Sequence, residues 1–205
     1  MKYILERRKR RSRESLYNLA LRIEDDYMRH EHECCFGRVL LKPLSEEESE
    51  MMRLVRNRFS NWFGYSGHIS KEQQVVWYEK YLQKQAEYMF SVFYKDTGKW
   101  IGAAGLYDVD YDLGVAEFGR IVIDPELRPE TGLGKDTVIC LCCFGFEVLG
   151  LQKIKLTVFS DNIPAMKSYL YCGFRPIYSE PINSSRENIF MEIRREEFAF
   201  KSKKG

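Results

Sequence analysis

Polar and apolar residues alternate one by one from residue 153 to 158 (Lys-Ile-Lys-Leu-Thr-Val), which predicts a strand with one buried face. Further apolar runs predict strands at 39–44, 88–94, 99–107, 116–124, 175–178 and 189–194. Asp96-Thr97-Gly98 supplies the turn of a hairpin between two of them. Helices announce themselves by their starts. Ser45 with Glu48, and Ser70 with Gln73, are spaced as capping boxes in front of apolar positions recurring every three to four residues. A third helix is expected over 134–149 and stopped by Gly150. A fourth is expected with Pro164 in its first turn and Gly173 at its end. The order is β-α-α-β-β-β-α-β-α-β-β, an α+β chain with a mixed, mostly antiparallel central sheet flanked by helices.

Residues 1–37 stand apart. A basic run (Lys2, Arg7, Arg8, Lys9, Arg10, Arg11, Arg13) precedes weakly periodic leucines, so this stretch reads as a charged, helical extension. The main domain is expected over 38–195, with a basic tail over 196–205. Net charge is only +2, which gives no global drive toward nucleic acid or membrane. No run approaches the roughly 20 apolar residues of a membrane span. Six cysteines without a secretory leader read as reduced thiols in a cytoplasmic protein. Cys140 and Cys143 form a C-x-x-C inside an apolar helical run, which is the setting of core thiols. His30, His32 and Cys34 alternate like metal ligands, but no second pair follows at suitable spacing, so no metal is expected.

The chemistry-bearing stretch runs from Glu117 to Gly134. An apolar strand pattern leads into Gly132-Leu133-Gly134, a Gly-x-Gly turn that opens a helix. Such a turn exposes unpaired N–H groups with little side chain in the way, and it favours phosphate. A tyrosine on the next helix could act on whatever the phosphate-bearing ligand delivers. Tyr169 and Tyr171 both lie there, about 200° apart around a helix, so only one of them can face the site.

Asn162, Ala165, Tyr169, Gly173 and Phe174 follow the pattern Asn-x-x-Ala-x-x-x-Tyr-x-x-x-Gly-Phe. With the Gly-x-Gly turn and the element order, residues 38–195 resemble the GNAT superfamily of acyl-CoA-dependent N-acyltransferases. The resemblance implies acetyl-CoA as acyl donor, with its pantetheine arm paired to Ile121, Val122 and Ile123. It implies a pyrophosphate on Thr131, Gly132, Leu133, Gly134 and Lys135, with Arg128 nearby. It further implies that Asn162 bonds the arm across a gap between diverging strands, and that Tyr169 is general acid for the leaving thiolate. One departure is visible. Pro129, Glu130 and Thr131 put three residues between Arg128 and Gly132, one more than the family pattern.

Acyl transfer also needs a neutral amine, hence a base. Glu117 is the candidate, with Asp108 and Asp110 as alternatives, and pairing of Glu117 with Arg120 as its structural reading. A backbone N–H at Val122 or Ile123 is expected to meet the developing oxyanion. Acceptor contacts are expected from Trp62, Phe63, Tyr65, His68 and Asp108. Arg53, Arg56 and Arg58 lie near enough in sequence to receive a pyrophosphate. The stretches Trp77-Tyr-Glu-Lys-Tyr-Leu and Ala116-Glu-Phe-Gly-Arg look similar to amino-sugar N-acetyltransferases of the pseudaminic-acid pathway. More loosely, they look similar to acetyltransferases of ribosomal-protein N-termini. The expected acceptor is a small-molecule amine, foremost a nucleotide-linked amino sugar. A protein N-terminus, and a non-catalytic acyl-CoA-binding module, are the alternatives. A homodimer is left open.

Overall fold

A computed structural model describes residues 32–64 and 67–200. The chain divides after His32 into two units, and the second holds the whole sheet. Its strands are β1 (Cys34–Phe36), β2 (Val39–Pro43), β3 (Tyr88–Tyr94), β4 (Lys99–Asp110), β5 (Val115–Ile123), β6 (Lys153–Phe159), β7 (Arg175–Pro181) and β8 (Glu187–Arg194). They lie in the order β1-β2-β3-β4-β5-β6-β8-β7. Every neighbouring pair is antiparallel except β5 and β6. The helices are α1 (Glu46–Arg58), α2 (Lys71–Gln83), α3 (Leu133–Cys143) and α4 (Ile163–Cys172). The mixed, mostly antiparallel architecture expected from the element order is present.

Both capping boxes form. Ser45 Oγ accepts from the Glu48 N–H at 3.3 Å, while the Ser45 N–H donates to Glu48 Oε2 at 3.1 Å. Ser70 and Gln73 repeat the arrangement at the head of α2. Each box satisfies two of the donors that a helix start leaves open. The two helices are joined by Gln74, whose Nε2 donates to Ser49 Oγ at 2.7 Å. Met52, Val55 and Tyr81 are buried with Leu44, Met89 and Val122 in one apolar cluster that ties this pair to the sheet.

Two local outcomes differ from the sequence reading. Cys34–Phe36, placed in the extension, is an edge strand with Cys34 opposite Leu41 and Phe36 opposite Val39. Gly37, with φ +54°, makes the tight turn between them. Three residues are too few to show a period, which is why the pattern hid this strand. Residues 144–148, expected as α-helix, form a π turn instead. Gly145 sits close against the sheet there, and a Cβ on it would stand 2.8 Å from Ile154 Cδ1. The expected helical extension and basic run at 1–31, His30, and the end of the basic tail at 201–205 lie outside the described residues.

Three irregularities of the sheet shape the site. The parallel pairing of β5 with β6 covers only Val115, Ala116 and Glu117, opposite Lys153, Ile154 and Lys155. Beyond Glu117 the two strands part. On β5, Arg120 and Ile121 stand against the single Ala104 of β4, a bulge in which Arg120 has φ +50°. On β4, Asp108 and Val109 stand against Ala116, and Asp108 has φ +49°.

Candidate active site

The parting of β5 and β6 opens a cleft of about 1160 Å³. From Phe118 to Ile123 one edge of β5 has no strand partner among the described residues. Its amides therefore face the gap, and an extended ligand with regularly spaced amides can add to that edge as a strand would. Ile121, Val122 and Ile123 all line the cleft.

At one end of the cleft is the start of α3. Gly132 is its N-cap, in the left-handed region at φ 89°. A Cβ on Gly134 would meet nothing within 4 Å, so there is open space beside the helix start, where the earliest N–H groups have no intrahelical acceptor. Arg128, Gly132, Gly134 and Lys135 line the cleft. Leu133 is fully buried, so it can contribute only its backbone, and Thr131 is exposed and outside the lining. The carboxylate in this loop, Glu130, is turned to other partners. It accepts from Arg38 Nη1 at 2.5 Å and from the Tyr94 hydroxyl at 2.9 Å. Arg38 also donates to Asp136 at 2.9 Å and to the Thr131 carbonyl at 3.3 Å, and so clamps the loop from β2. Nothing in the spacing of Arg38 marked it for this role, because its partners lie more than ninety positions along the chain.

Across the gap stands α4. Asn162, which lines the cleft, caps it, Oδ1 accepting from the Ala165 N–H at 3.3 Å, so that its amide nitrogen still has donors to give. The two tyrosines separate as helical spacing requires. Tyr169 is 5% exposed and lines the cleft, whereas Tyr171 is 58% exposed. The ring of Tyr169 packs edge-on against Phe118 and Phe174, with centroids 5.8 and 5.9 Å away. Burial, and then nearby Cys172 and Tyr107, hold its phenol well above the usual tyrosine range. It is therefore a protonated donor at neutral pH. Lys135 Nζ lies 4.6 Å from the ring centroid of Tyr171, a cation–π contact on the outer face of α4.

Glu117 occupies the last paired position before the strands part, and it lines the cleft. Its ion-pair partner is Lys155, 3.7 Å away, rather than the Arg120 anticipated from sequence. Arg120 instead pairs with the buried Glu87, which Lys84 also contacts at 2.8 Å. The bulge turns the Arg120 guanidinium over two rings, Tyr107 at 4.5 Å and Trp77 at 5.6 Å. Tyr107, which sequence reasoning passed over, lines the same cleft as Glu117 and Tyr169.

The opposite end of the cleft is aromatic and cationic. Phe59, Trp62, Phe63, Trp77, Arg56 and Arg120 line it. Asn57 clips the aromatic loop shut, exchanging hydrogen bonds with the Ile69 backbone at 3.0 and 2.8 Å. Of the acceptor contacts expected from sequence, Trp62 and Phe63 are here. Tyr65 lies outside the described residues. His68 is exposed and outside the lining. Asp108 is also exposed and outside it, because the β4 bulge carries it past the cleft edge. Arg53 and Arg58 are committed elsewhere. Arg53 bonds Glu50 at 2.7 Å and the Ile69 carbonyl at 2.9 Å. Arg58 pairs with buried Asp124 and with Glu126. Cys140 and Cys143 are buried, and Cys143 has its thiol pushed up to about 12, chiefly by burial. Among the described residues no His, Cys, Asp and Glu side chains group as a metal site, and no helix is long and apolar enough to cross a membrane.

A free strand edge, a left-handed glycine at a helix start and a buried protonated phenol lie along one cleft with room for a long carrier bearing a diphosphate. The residues fit that carrier: the space over Gly134 admits phosphate, and Arg128, Lys135 and Lys167 line the same cleft. The model of the acetyltransferase (GNAT) domain family matches residues 38–175, and the chain belongs to that family. It is an acyltransferase that takes an acetyl group from acetyl-CoA and delivers it to an amine. The spermidine N(1)-acetyltransferase of Escherichia coli (strain K12) is 30% identical over 139 residues, 66% of this chain and 72% of that protein. Among solved structures, spermidine N-acetyltransferase from Vibrio cholerae in complex with CoA and spermine has a TM-score of 0.70 at 23% identity. That match covers 78% of this chain and 97% of the other. FdhC, a nucleotide-linked sugar GNAT, has a TM-score of 0.69 at 19% identity and covers 81% and 92%.

Proposed function

We propose that the acceptor is an amino sugar, foremost a nucleotide-linked one, acetylated directly on its primary amine. One observation carries this reading. Among the described residues that line the cleft, Glu117 is the one carboxylate, while Arg56 and Arg120 line the acceptor end beside Trp62, Phe63 and Trp77. Aromatic faces suit a sugar ring or a base, and guanidinium groups suit phosphate. A polyamine carries several ammonium groups, and such a wall repels them.

Acetyl-CoA supplies the thioester and its acetyl group. In this reading Arg128, Lys135 and the N–H groups of Gly132, Leu133 and Gly134 take the diphosphate, with Thr131 beside them. The edge at Ile121, Val122 and Ile123 pairs with the pantetheine arm, and Asn162 bonds that arm from the other side. Glu117 takes the proton of the acceptor ammonium, and the freed nitrogen attacks the acetyl carbon. A backbone N–H at Val122 or Ile123 meets the charge that develops on oxygen. Tyr169 delivers its proton to the departing sulfur.

A second reading, spermidine or spermine as acceptor, rests on the kinship with spermidine N(1)-acetyltransferases. Acetyl-CoA consumption measured with a nucleoside-diphosphate-linked amino sugar, the free amino sugar, spermidine and a short peptide separates the two. The expected kcat/KM is highest for the nucleotide-linked sugar, by about tenfold or more over spermidine. The reverse order overturns the amino-sugar reading and installs the polyamine one.

A further inference from the structure

Tyr107, Glu117 and Lys155 form one row across three strands. Tyr107 is opposite Glu117 in the β4–β5 register, and Glu117 is opposite Lys155 in the β5–β6 register. Residues opposite one another in register project from the same face of a sheet. This is also the last row before β5 and β6 part, so it sits at the root of the cleft. Tyr107 and Glu117 line the same cleft, with the Glu117 charge close enough to raise the Tyr107 phenol. Lys155 Nζ approaches Glu117 Oε2 to 3.7 Å.

The phenol is held there by what surrounds it. It lies over Gly119, where a Cβ would stand 2.7 Å from the Tyr107 hydroxyl oxygen and 2.9 Å from Cε1. Any side chain at position 119 therefore displaces the phenol. The Arg120 guanidinium lies 4.5 Å from the centroid of the ring, and Arg120 is anchored by Glu87. A glycine that leaves room, a bulge that places a cation and a shared register all converge on one hydroxyl.

We propose that Tyr107 is a positioning residue for the acetyl transfer, its hydroxyl aiming the Glu117 carboxylate at the acceptor amine, with Gly119 providing the space this requires. The inference rests on the reading of Glu117 as the proton acceptor. The balance of the step is simple. The N–H bond of the acceptor ammonium breaks, and its proton passes to a carboxylate oxygen of Glu117. The electron pair stays on nitrogen and forms the new N–C bond as the C–S bond breaks. Tyr169 protonates the sulfur and is itself reprotonated by the second N–H proton that the acylated nitrogen sheds to become the neutral amide, and the Tyr107 O–H bond stays intact throughout. Burial, reinforced by Glu117, keeps the Tyr107 phenol up at about 12, so it remains a donor at neutral pH. The other charged or titratable groups that face the pair are Lys155 from β6, Arg120 from β5, Asp108 from β4 and Tyr169 from α4.

Tyr107→Phe keeps the ring and removes the hydroxyl. Gly119→Ala keeps the hydroxyl and moves it. Steady-state kinetics of both, with Glu117→Gln alongside, test the proposal. The probes are the best amine of the acceptor panel and O-methylhydroxylamine, whose nitrogen is neutral at pH 7 without a base. CoA titration reports whether each variant is folded. Both variants are expected to lose kcat with the amine by about tenfold or more, against about 10²-fold for Glu117→Gln. The KM for acetyl-CoA stays unchanged, and the rate with O-methylhydroxylamine stays near that of the unaltered protein. Full kcat in Tyr107→Phe, or equal losses with both nucleophiles, overturns the positioning role and leaves Tyr107 as packing. If Glu117→Gln is inactive while Tyr107→Phe is not, only this inference fails. If Glu117→Gln keeps full turnover, the base assignment and this inference fall together.

Discussion

The guanidinium of Arg38 lies 2.5 Å from the carboxylate of Glu130, and this contact occupies the one acidic side chain between Arg128 and Lys135. An anion bound over Gly132 and Gly134 would otherwise meet an unpaired carboxylate in the same loop. The same arginine reaches Asp136 in the first turn of α3 at 2.9 Å, so it fixes the loop to the helix whose N-terminus it leads into. Arg38→Ala is expected to weaken CoA binding by about tenfold, or about 1.4 kcal/mol. Titration calorimetry with CoA checks this. Unchanged affinity removes Arg38 from the account of the loop.

Tyr169 carries the acid role in the proposed chemistry. Replacing it by Phe keeps the edge-on packing on Phe118 and Phe174 and deletes the proton. The kcat of Tyr169→Phe should fall about 10²-fold. Affinity for CoA should change little, since the strand edge and the glycine turn are untouched. Steady-state rates set beside CoA titration give both numbers for the one variant. Undiminished turnover would transfer the acid role to another group.

Gly132 holds a backbone conformation that an L side chain resists, φ 89°, and a Cβ there would stand 3.0 Å from Arg38 Nη2. Gly132→Ala therefore strains the turn and presses on its clamp. A stability loss of about 1–2 kcal/mol is expected from the left-handed backbone alone. Weaker CoA binding should accompany it. Urea unfolding and CoA titration on the same preparation measure the two effects, and a variant as stable as the parent contradicts the strain.

Buried acids give the fold an alkaline limit. The thiols of Cys143 and Cys172 rise from an ordinary value of 9.0 to about 12, and the Tyr107 phenol rises from 10.0 to about 12, in each case chiefly through burial. Between those limits the unfolded chain releases these protons and the folded chain keeps them. The unfolded state then binds fewer protons, so stability falls as pH rises. It is fully present below about pH 9 and is lost progressively toward about pH 12. Urea midpoints taken from about pH 8 to about pH 10.5 should decline steadily. A flat profile over that span shows that these groups are not protected in the fold.

Local features of the site were legible because they are written in short periods. The Gly132-Leu133-Gly134 turn, the spacing of Asn162, Tyr169 and Gly173, and the two capping boxes each span a few residues. Just over half a turn of helix also separates Tyr169 from Tyr171 before any fold is known, and their exposures of 5% and 58% follow that geometry. The partner of Glu117 was not legible in this way. Arg120, three positions on, looked suitable, yet a bulge swings it to Glu87 and over Tyr107, while register brings Lys155 alongside from another strand.

By itself the chain's pattern determined the order of all strands and helices but the first short strand, the helix starts, the glycine turn and the placing of Tyr169 and Tyr171 on opposite sides of α4. Each of these depends on which residues fall on one face of a single element, and that is a property of neighbours in sequence. Tertiary structure alone decided the edge strand at Cys34–Phe36, the reach of Arg38 to Glu130, the parting of β5 from β6 after Glu117, and the hydroxyl of Tyr107 over Gly119. Those depend on register and on two inserted bulge residues, and a shift of one position in either would bring different side chains together.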